Sequence, residues 1–335
     1  MTTRVLMVGA GGVAQRHAAV LSALEGPEGG AAIVGVVDPD QTAAQILASA
    51  HGCPDYRVIE QALDSSEPDA VYVCVPPFAH GEAEYAAIER ALPLFVEKPV
   101  GLDPTLVENI AARIQQAGIV TGTGYHWRCL DVVEQAQKLL ATNPPMMAAG
   151  HWLDKRPPVA WWGQRDKSGG QVVEQLTHLL DLARLLLGEA EEVYAAGARL
   201  THSVSDIERG GDIDDATAAT VRFASGAVAT FSATSLLVSK HRSSLQTFSD
   251  ALALELTETG LAIDRGRDHD DVTVLEDPRV TVDREFIEAV TGLRATTRTP
   301  YEEAARTQQL GAALAESALV GQPVRIGHPD PGTRT

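Results

Sequence analysis

The sequence predicts an α/β protein of two domains: an N-terminal Rossmann-type, doubly wound parallel sheet, followed by an α+β domain with a large, open, mainly antiparallel sheet. Three observations carry this. A chain of 335 residues exceeds the comfortable size of one hydrophobic core. Its first third alternates short apolar runs with helical periodicity, the pattern of βαβ units. Its second half sets several neighbouring strands after a few helices.

In chain order, apolar runs at 4–8, 31–37, 70–75 and 94–96 alternate with helical patterns at about 13–25, 40–51, 79–92 and 103–117, and a short run follows at 119–123. Residues 1–122 are therefore expected to form a nucleotide-binding domain, and 123–335 a second domain for substrate and subunit contacts. After Tyr125 the pattern predicts a helix at about 129–142, a strand at 146–153, and a loop carrying Pro157, Pro158, Trp161 and Trp162. One long helix is expected over about 170–187, then strands near 191–200, 215–224 and 227–238. Ser225-Gly226 joins the last two as a hairpin turn. Further strands at 242–249, 251–257, 261–265 and 271–276 precede helices at about 283–291 and 300–319, and the last seven residues or so read as a loose tail. The open sheet leaves apolar area to cover, so a homodimer or homotetramer built on it is expected.

Composition narrows the function classes. Hydrophobic residues make up 44% and charged residues 21%, ordinary for a globular protein. No apolar run approaches the roughly 20 residues that cross a bilayer, and the start leads into a strand instead of a signal peptide, so the cytoplasm is the expected compartment. Cys53, Cys74 and Cys129 are widely spaced, without the clustering of a disulfide frame or a zinc site. The formal charge of −18 opposes nucleic acid and anionic membranes, favours solubility, and would attract a cationic small substrate.

Gly9-x-Gly11-x-x-Ala14, with Gly12 within it, lies between an apolar run and a helix opening near Val13, the context a dinucleotide fingerprint requires. Gly9 permits the tight turn, Gly11 lets backbone approach a pyrophosphate, Ala14 allows close packing, and the helix N-terminus stabilises phosphate charge. Asp38 follows Ala14 by 24 residues and closes the next run, where its carboxylate can accept from both ribose hydroxyls. It would repel a 2′-phosphate, and Pro39-Asp40-Gln41-Thr42 offers no compensating cation, so NAD is expected over NADP. Val75, Pro76 and Pro77 end a strand at its carboxyl end, where open α/β sheets bind ligands. His80 either lines the ribose or nicotinamide, or simply starts a helix.

Glu97-Lys98-Pro99 closes a buried strand with a charged pair. Lys98 there can hydrogen-bond a reacting hydroxyl, and partial desolvation would move it toward useful proton exchange. Glu97 contacts the cofactor or holds Lys98. Pro99 fixes the turn, and the sequence does not choose the isomer of the bond before it. On the helix over 170–187, Glu174, His178 and Asp181 stand at i, i+4 and i+7, within about 60° of one another on a regular helix. Ionisable groups on an otherwise apolar helix line a cleft or pair with each other. His178 is the expected general base or acid, with Glu174 orienting it. Two carboxylates and one His are a poor zinc set, and no metal is expected.

Gly9-x-Gly11-x-x-Ala14, Glu97-Lys98-Pro99, and Gly169-Gly170 before the helix with His178 and Asp181 resemble, in order and spacing and over essentially the whole chain, the Gfo/Idh/MocA oxidoreductases. The resemblance implies NAD(P) beside Lys98 and His178 as the catalytic pair, sugars, cyclitols or other polyols as substrates, and frequent dimers or tetramers. Glu174 departs from the Asp often found four residues before the histidine in that family, so its role is less fixed than that of Lys98. Tyr125, His126, Trp127 and Arg128, with Trp161 and Trp162, suit a sugar pocket, although core packing explains indoles equally well. The acidic charge suits an amino sugar, including an aminoglycoside of antibiotic biosynthesis. Two alternatives stand beside the dehydrogenase: a glycosidase that oxidises transiently and retains NAD, and a regulator that senses NAD or sugar without chemistry.

Overall fold

Val5, Leu6, Met7, Val36, Val71, Tyr72, Phe95 and Val96 are all buried, so the N-terminal strands are covered on both faces, as their unbroken apolar runs demand. The computed structural model describes residues 2–24, 30–200 and 211–327. Strands β1 (Thr3–Val8), β2 (Ala31–Val37), β3 (Asp55–Tyr56), β4 (Ala70–Val73), β5 (Leu94–Val96) and β6 (Thr121–Thr123) form one sheet in the order β3-β2-β1-β4-β5-β6. All its pairs are parallel. The order reverses direction between β1 and β4, the switch point at which such sheets bind ligands.

The helices of this sheet are α1 (Gly12–Ala23), α2 (Gln41–His51), α3 (Ile59–Ser66), α4 (Glu82–Glu89) and α5 (Pro104–Ala117). Capping is visible in the sequence at α2, where Asp40 accepts from the amides of Thr42 and Ala43, and at α5, where Asp103 accepts from Thr105 before Pro104 opens the helix. Strand β3 and helix α3 were not expected. A two-residue strand has no periodicity to read, and α3 shows only the spacing of Ile59, Ala62, Leu63 and Ser66.

The chain forms two compact units, Met1–Cys129 with Asp277–Ala305, and Leu130–Glu276 with Arg306–Thr335, a division other than the expected 1–122 and 123–335. Helix α10 (Pro278–Val290) returns to the first unit because Val282, Phe286 and Ile287 bury their side chains among Met7, Tyr72 and Phe95. Beyond it, Thr297 Oγ1 donates to Thr121 O at 2.7 Å and Thr299 Oγ1 to Thr123 O at 2.9 Å. These bonds satisfy the outer edge of β6, which otherwise would be an open sheet edge. A return over more than 150 residues leaves no local signature.

The second unit holds α6 (Val133–Thr142) and strands β7 (Met147–Lys155), β8 (Ala190–Ala198), β9 (Ala216–Phe223), β10 (Val228–Leu237), β11 (Arg242–Ser249), β12 (Leu252–Thr257), β13 (Gly260–Asp264), β14 (His269–Thr273) and β15 (Val324–Arg325). They form one sheet in the order β14-β13-β12-β11-β7-β10-β9-β8-β15, antiparallel except for the pair β10 and β7. Alternation sorts its faces: Ala219, Val221, Phe223, Ala229, Phe231 and Ala233 are buried, while their neighbours in sequence are more exposed. The second unit also contains most of α11 (Tyr301–Val320).

One expected element is corrected. After a short α7 (Arg165–Ser168), the single helix over 170–187 is in fact two, α8 (Gln171–Glu174) and α9 (Thr177–Leu187), separated at Gln175 and Leu176. There the Leu176 amide reaches back five residues to Gln171 O, and the Leu179 amide only three, to Leu176 O. A wide turn followed by a tight one interrupts the regular rotation between Glu174 and His178, while His178 and Asp181 remain i and i+3 neighbours within α9. Val172, Val173, Leu176, Leu179 and Leu180 are buried on both sides of the break, so the apolar pattern runs through it unmarked.

Candidate functional site

In the first unit, Gly9 follows β1 at φ +97°, and a Cβ there would lie 2.3 Å from the carbonyl oxygen of Cys74. Only glycine fits, by conformation and by space. The Gly9 amide donates to Val37 O at 2.7 Å and the Ala10 amide to Asp38 Oδ2 at 2.7 Å, while Asp38 Oδ1 accepts from the Asp40 amide at 2.8 Å. The glycine turn and the end of β2 thus hold the Asp38 carboxylate between them. Gly11 caps α1 with extended backbone, and a Cβ at Gly11 or Gly12 would meet nothing within 4 Å. These glycines therefore leave open backbone at a helix N-terminus, and Val13 is exposed beside them while Ala14 is fully buried.

That arrangement fits the pyrophosphate of a dinucleotide, which would sit on the free amides of the first turn. Val75 and Pro76 are half-buried past β4. His80 is buried, with Nδ1 2.5 Å from Glu84 Oε1, and Glu84 Oε2 accepts from the Gly81 amide at 2.7 Å. The His80 Nε2 is buried and has no hydrogen-bond partner among the described residues, so a ligand hydroxyl or amide can complete it. Replacing Asp38→Ser should raise the NADH dissociation constant by about tenfold or more, since a bond to a charged group contributes roughly 1.5–3 kcal/mol. NADPH should be affected less, narrowing the preference. Fluorescence titration with both nucleotides measures this.

Lys98 is half-buried and precedes a cis peptide bond to Pro99. Glu97 is buried, and both its oxygens are engaged. Oε1 lies 2.8 Å from His17 Nε2 and 3.6 Å from the Arg16 guanidinium, and Oε2 accepts from the Lys98 amide at 3.0 Å. Burial pushes Glu97 up, but His17, Lys98 and Arg16 reverse this and bring it down to about 2. His17 Nδ1 lies 2.7 Å from Asp283 Oδ1. Burial alone would lower His17, yet Asp283 and Glu97 outweigh it and raise the imidazole to about 9. His126, by contrast, is lowered to about 3 by burial, with Nδ1 3.3 Å from Gly124 O. Tyr125 is part of the core of this unit, and buried Arg128 pairs with Glu303 at 3.2 Å.

In the second unit, Trp161 and Trp162 lie on a single 3-10 turn (Ala160–Gly163). Trp162 is fully buried and its Nε1 donates to Glu174 Oε2 at 2.8 Å, which ties α8 to the tryptophan loop. The His178 ring is buried and stacks on Trp152 of β7, centroids 5.6 Å apart and planes at 24°. The Lys240 ammonium lies 4.4 Å from the centre of the same indole and 2.7 Å from Glu258 Oε2. Asp181 accepts from Thr307 Oγ1 at 2.8 Å, and Thr307 also accepts from Arg184, which pairs with Glu189 at 2.7 Å. Asp181 is thereby drawn into an internal network of its own.

Sequence reasoning missed His17, Asp283, Trp152 and Lys240. A signal existed for His17, which shares the buried face of α1 with Ala14, Ala18 and Leu21. Trp152 sits on an alternating strand where an indole reads as core, and Lys240 follows a strand end where a lysine reads as solvated.

A dinucleotide cradle at the switch point of a parallel sheet, in a chain that also carries an open-sheet α+β unit, defines a two-domain oxidoreductase fold. Residues 3–125 match the NAD-binding Rossmann domain of the Gfo/Idh/MocA oxidoreductases and residues 142–250 match the Gfo/Idh/MocA C-terminal domain. The chain belongs to that family, and its first unit is an NAD-binding Rossmann domain. It is 26% identical over 195 residues to the 2,7-anhydro-N-acetylneuraminate hydratase of Mediterraneibacter gnavus, covering 56% of this chain and 50% of that protein. It is 27% identical over 193 residues to the inositol 2-dehydrogenase of Rhizobium meliloti, covering 56% of each. The chain thus spans about half the length of the curated relatives it matches. A solved levoglucosan dehydrogenase, in complex with NADH and levoglucosan, superposes with a TM-score of 0.87 at 18% identity, covering 98% of this chain and all of that one. That likeness shows the fold.

Proposed function

We propose that this chain is an NAD-dependent dehydrogenase that oxidises a secondary hydroxyl of a sugar, cyclitol or amino sugar, or reduces the matching ketone. The observation that carries the reading is the Gly9 turn locked to Asp38, in a family member that keeps both Lys98 and His178. Bound NAD supplies the hydride acceptor. Lys98 and His178 are the proton-transfer groups at the reacting oxygen, with Trp152 fixing the plane of the imidazole. Glu174 acts through the tryptophan loop, by its bond to Trp162. An inositol dehydrogenase and a levoglucosan dehydrogenase among the similar proteins support a polyol or sugar. The charge of −18 supports the amino-sugar branch, including an aminoglycoside intermediate, since it would attract a cationic substrate.

Incubation of the chain with NAD and a panel of cyclitols, neutral sugars, amino sugars and aminoglycosides should produce NADH absorbance with at least one member. If neutral sugars outperform every amino sugar, and salt leaves the amino-sugar KM unchanged, the amino-sugar branch is wrong. The hydratase among the relatives favours one second reading, transient oxidation with NAD retained. It predicts product without net NADH. A non-catalytic sensor is the weaker alternative, since Lys98 and His178 are both present.

The open face of the second sheet supports self-association. Phe248, Met147 and Val228 are cross-strand neighbours on β11, β7 and β10, and all three are exposed. Such a row is costly to leave in water, and a second copy of the sheet would cover it in a homodimer or homotetramer. Light scattering should give a mass at least twice 35.5 kDa. Met147→Glu with Val228→Glu should return it to the monomer without loss of fold by circular dichroism.

A further inference from the structure

Asp283, His17 and Glu97 form a continuous buried chain from helix α10 through helix α1 to the end of β5, and the last member bonds the Lys98 main chain. Their side chains are 0%, 2% and 8% exposed, respectively. A tie between two helices would need only one carboxylate against His17. Here the second nitrogen of the ring is spent on Glu97, whose other oxygen receives the Lys98 amide. The carboxylate is confined further by Gly124, where a Cβ would lie 2.4 Å from Glu97 Oε2. Tyr72 and Phe95 wall the imidazole, at centroid distances of 5.7 and 5.1 Å.

We infer that His17, held by Asp283, is a positioning residue: it fixes the Glu97 carboxylate, and through it the turn and the local charge in which Lys98 exchanges protons. This rests on the dehydrogenase reading above. An imidazolium between two carboxylates offsets the negative charge next to Lys98; without it, Glu97 would hold the Lys98 ammonium more firmly. The other groups that bear on the cluster are Arg16 on α1, Tyr72 and Cys74 at β4, His126 after β6, and Arg279 on α10.

The test uses the full chain with His17→Asn, Asp283→Asn and Gly124→Ala, the last displacing the carboxylate while leaving the other two groups intact. The expected result is a fall in kcat of about tenfold or more, with the NADH dissociation constant within threefold of wild type. The acid limb of the kcat profile in the oxidation direction should move up by about one pH unit, as expected for an opposite charge left less compensated. A readout free of turnover is the titration of Lys98, followed by NMR after reductive 13C-methylation, which should move the same way. In the wild type, the His17 ring carbons should show an imidazolium up to at least pH 8. Stability loss with unchanged pH profile and unchanged Lys98 titration would reduce the chain to a helix tie and overturn the inference. So would a wild-type His17 that titrates near its ordinary value, a result obtainable even where the variants do not fold. If Lys98 titration shifts but no substrate turns over, the positioning stands and the dehydrogenase reading fails. Turnover without the shift is the reverse.

Discussion

Lys98→Ala is expected to lower kcat by about 10²–10⁴-fold, the usual worth of a positioned proton-transfer group. The NADH dissociation constant should stay within a few fold if the glycine turn and Asp38 carry most of the dinucleotide's binding, as proposed above. His178→Ala should lose a comparable factor, and His178→Asn no less, since the amide keeps a polar group in place but neither takes up nor releases a proton at neutral pH. The decisive variant is the double one. If Lys98 and His178 act on one hydroxyl as a unit, the losses will not multiply, and the double variant will be about as slow as the worse single variant. Losses that multiply would assign the two residues to separate steps. Trp152→Leu should give a smaller loss, carried by kcat, because it frees the imidazole plane without removing the base. Stopped-flow measurement of the first turnover separates these effects from product release.

Much of the first unit was legible because a parallel sheet writes its strands as unbroken apolar runs, and a dinucleotide turn needs glycine where nothing else fits. Gly9 illustrates this, since the Cys74 carbonyl forbids any side chain. Asp38 was legible for a related reason, as a charge that closes an apolar run must meet something. The return of α10 was not legible. Phe286 and Asp283 lie far from Tyr72 and His17 in sequence, and an amphipathic helix does not name the surface it will cover. The break between α8 and α9 was hidden by the same apolar pattern that revealed the helix. The spacing argument found Glu174 and His178 as polar groups worth attention but named none of the partners that the fold brings to them: Glu174 meets Trp162, His178 meets Trp152, and Asp181 meets Thr307.

The buried imidazolium should also make this fold sensitive to alkali in a way that His17→Asn removes. His17 is raised from 6.5 to about 9, so its stabilisation is fully present below pH 6.5 and is lost as pH rises through 9. The shift corresponds to a contribution on the order of 3 kcal/mol, a large share of a typical domain's net stability. On the acid side the signs reverse. His126 is lowered from 6.5 to about 3, so below pH 6.5 the unfolded chain takes up a proton that the fold refuses. Glu97, lowered from 4.5 to about 2, adds its own loss below pH 4.5. The three together place the stability maximum near pH 6.5. Urea unfolding of the wild type at pH 6.5 and 8.5 should show a drop of a few kcal/mol. Part of any alkaline loss comes from the general negative charge of the chain, which both proteins share, so the informative quantity is the difference in slope. His17→Asn should be less stable overall, since it leaves two buried carboxylates without their cation. Its stability should nonetheless be nearly level between pH 6.5 and 8.5. A variant that retained the wild-type slope would show that the proton lost on the alkaline side does not sit on His17.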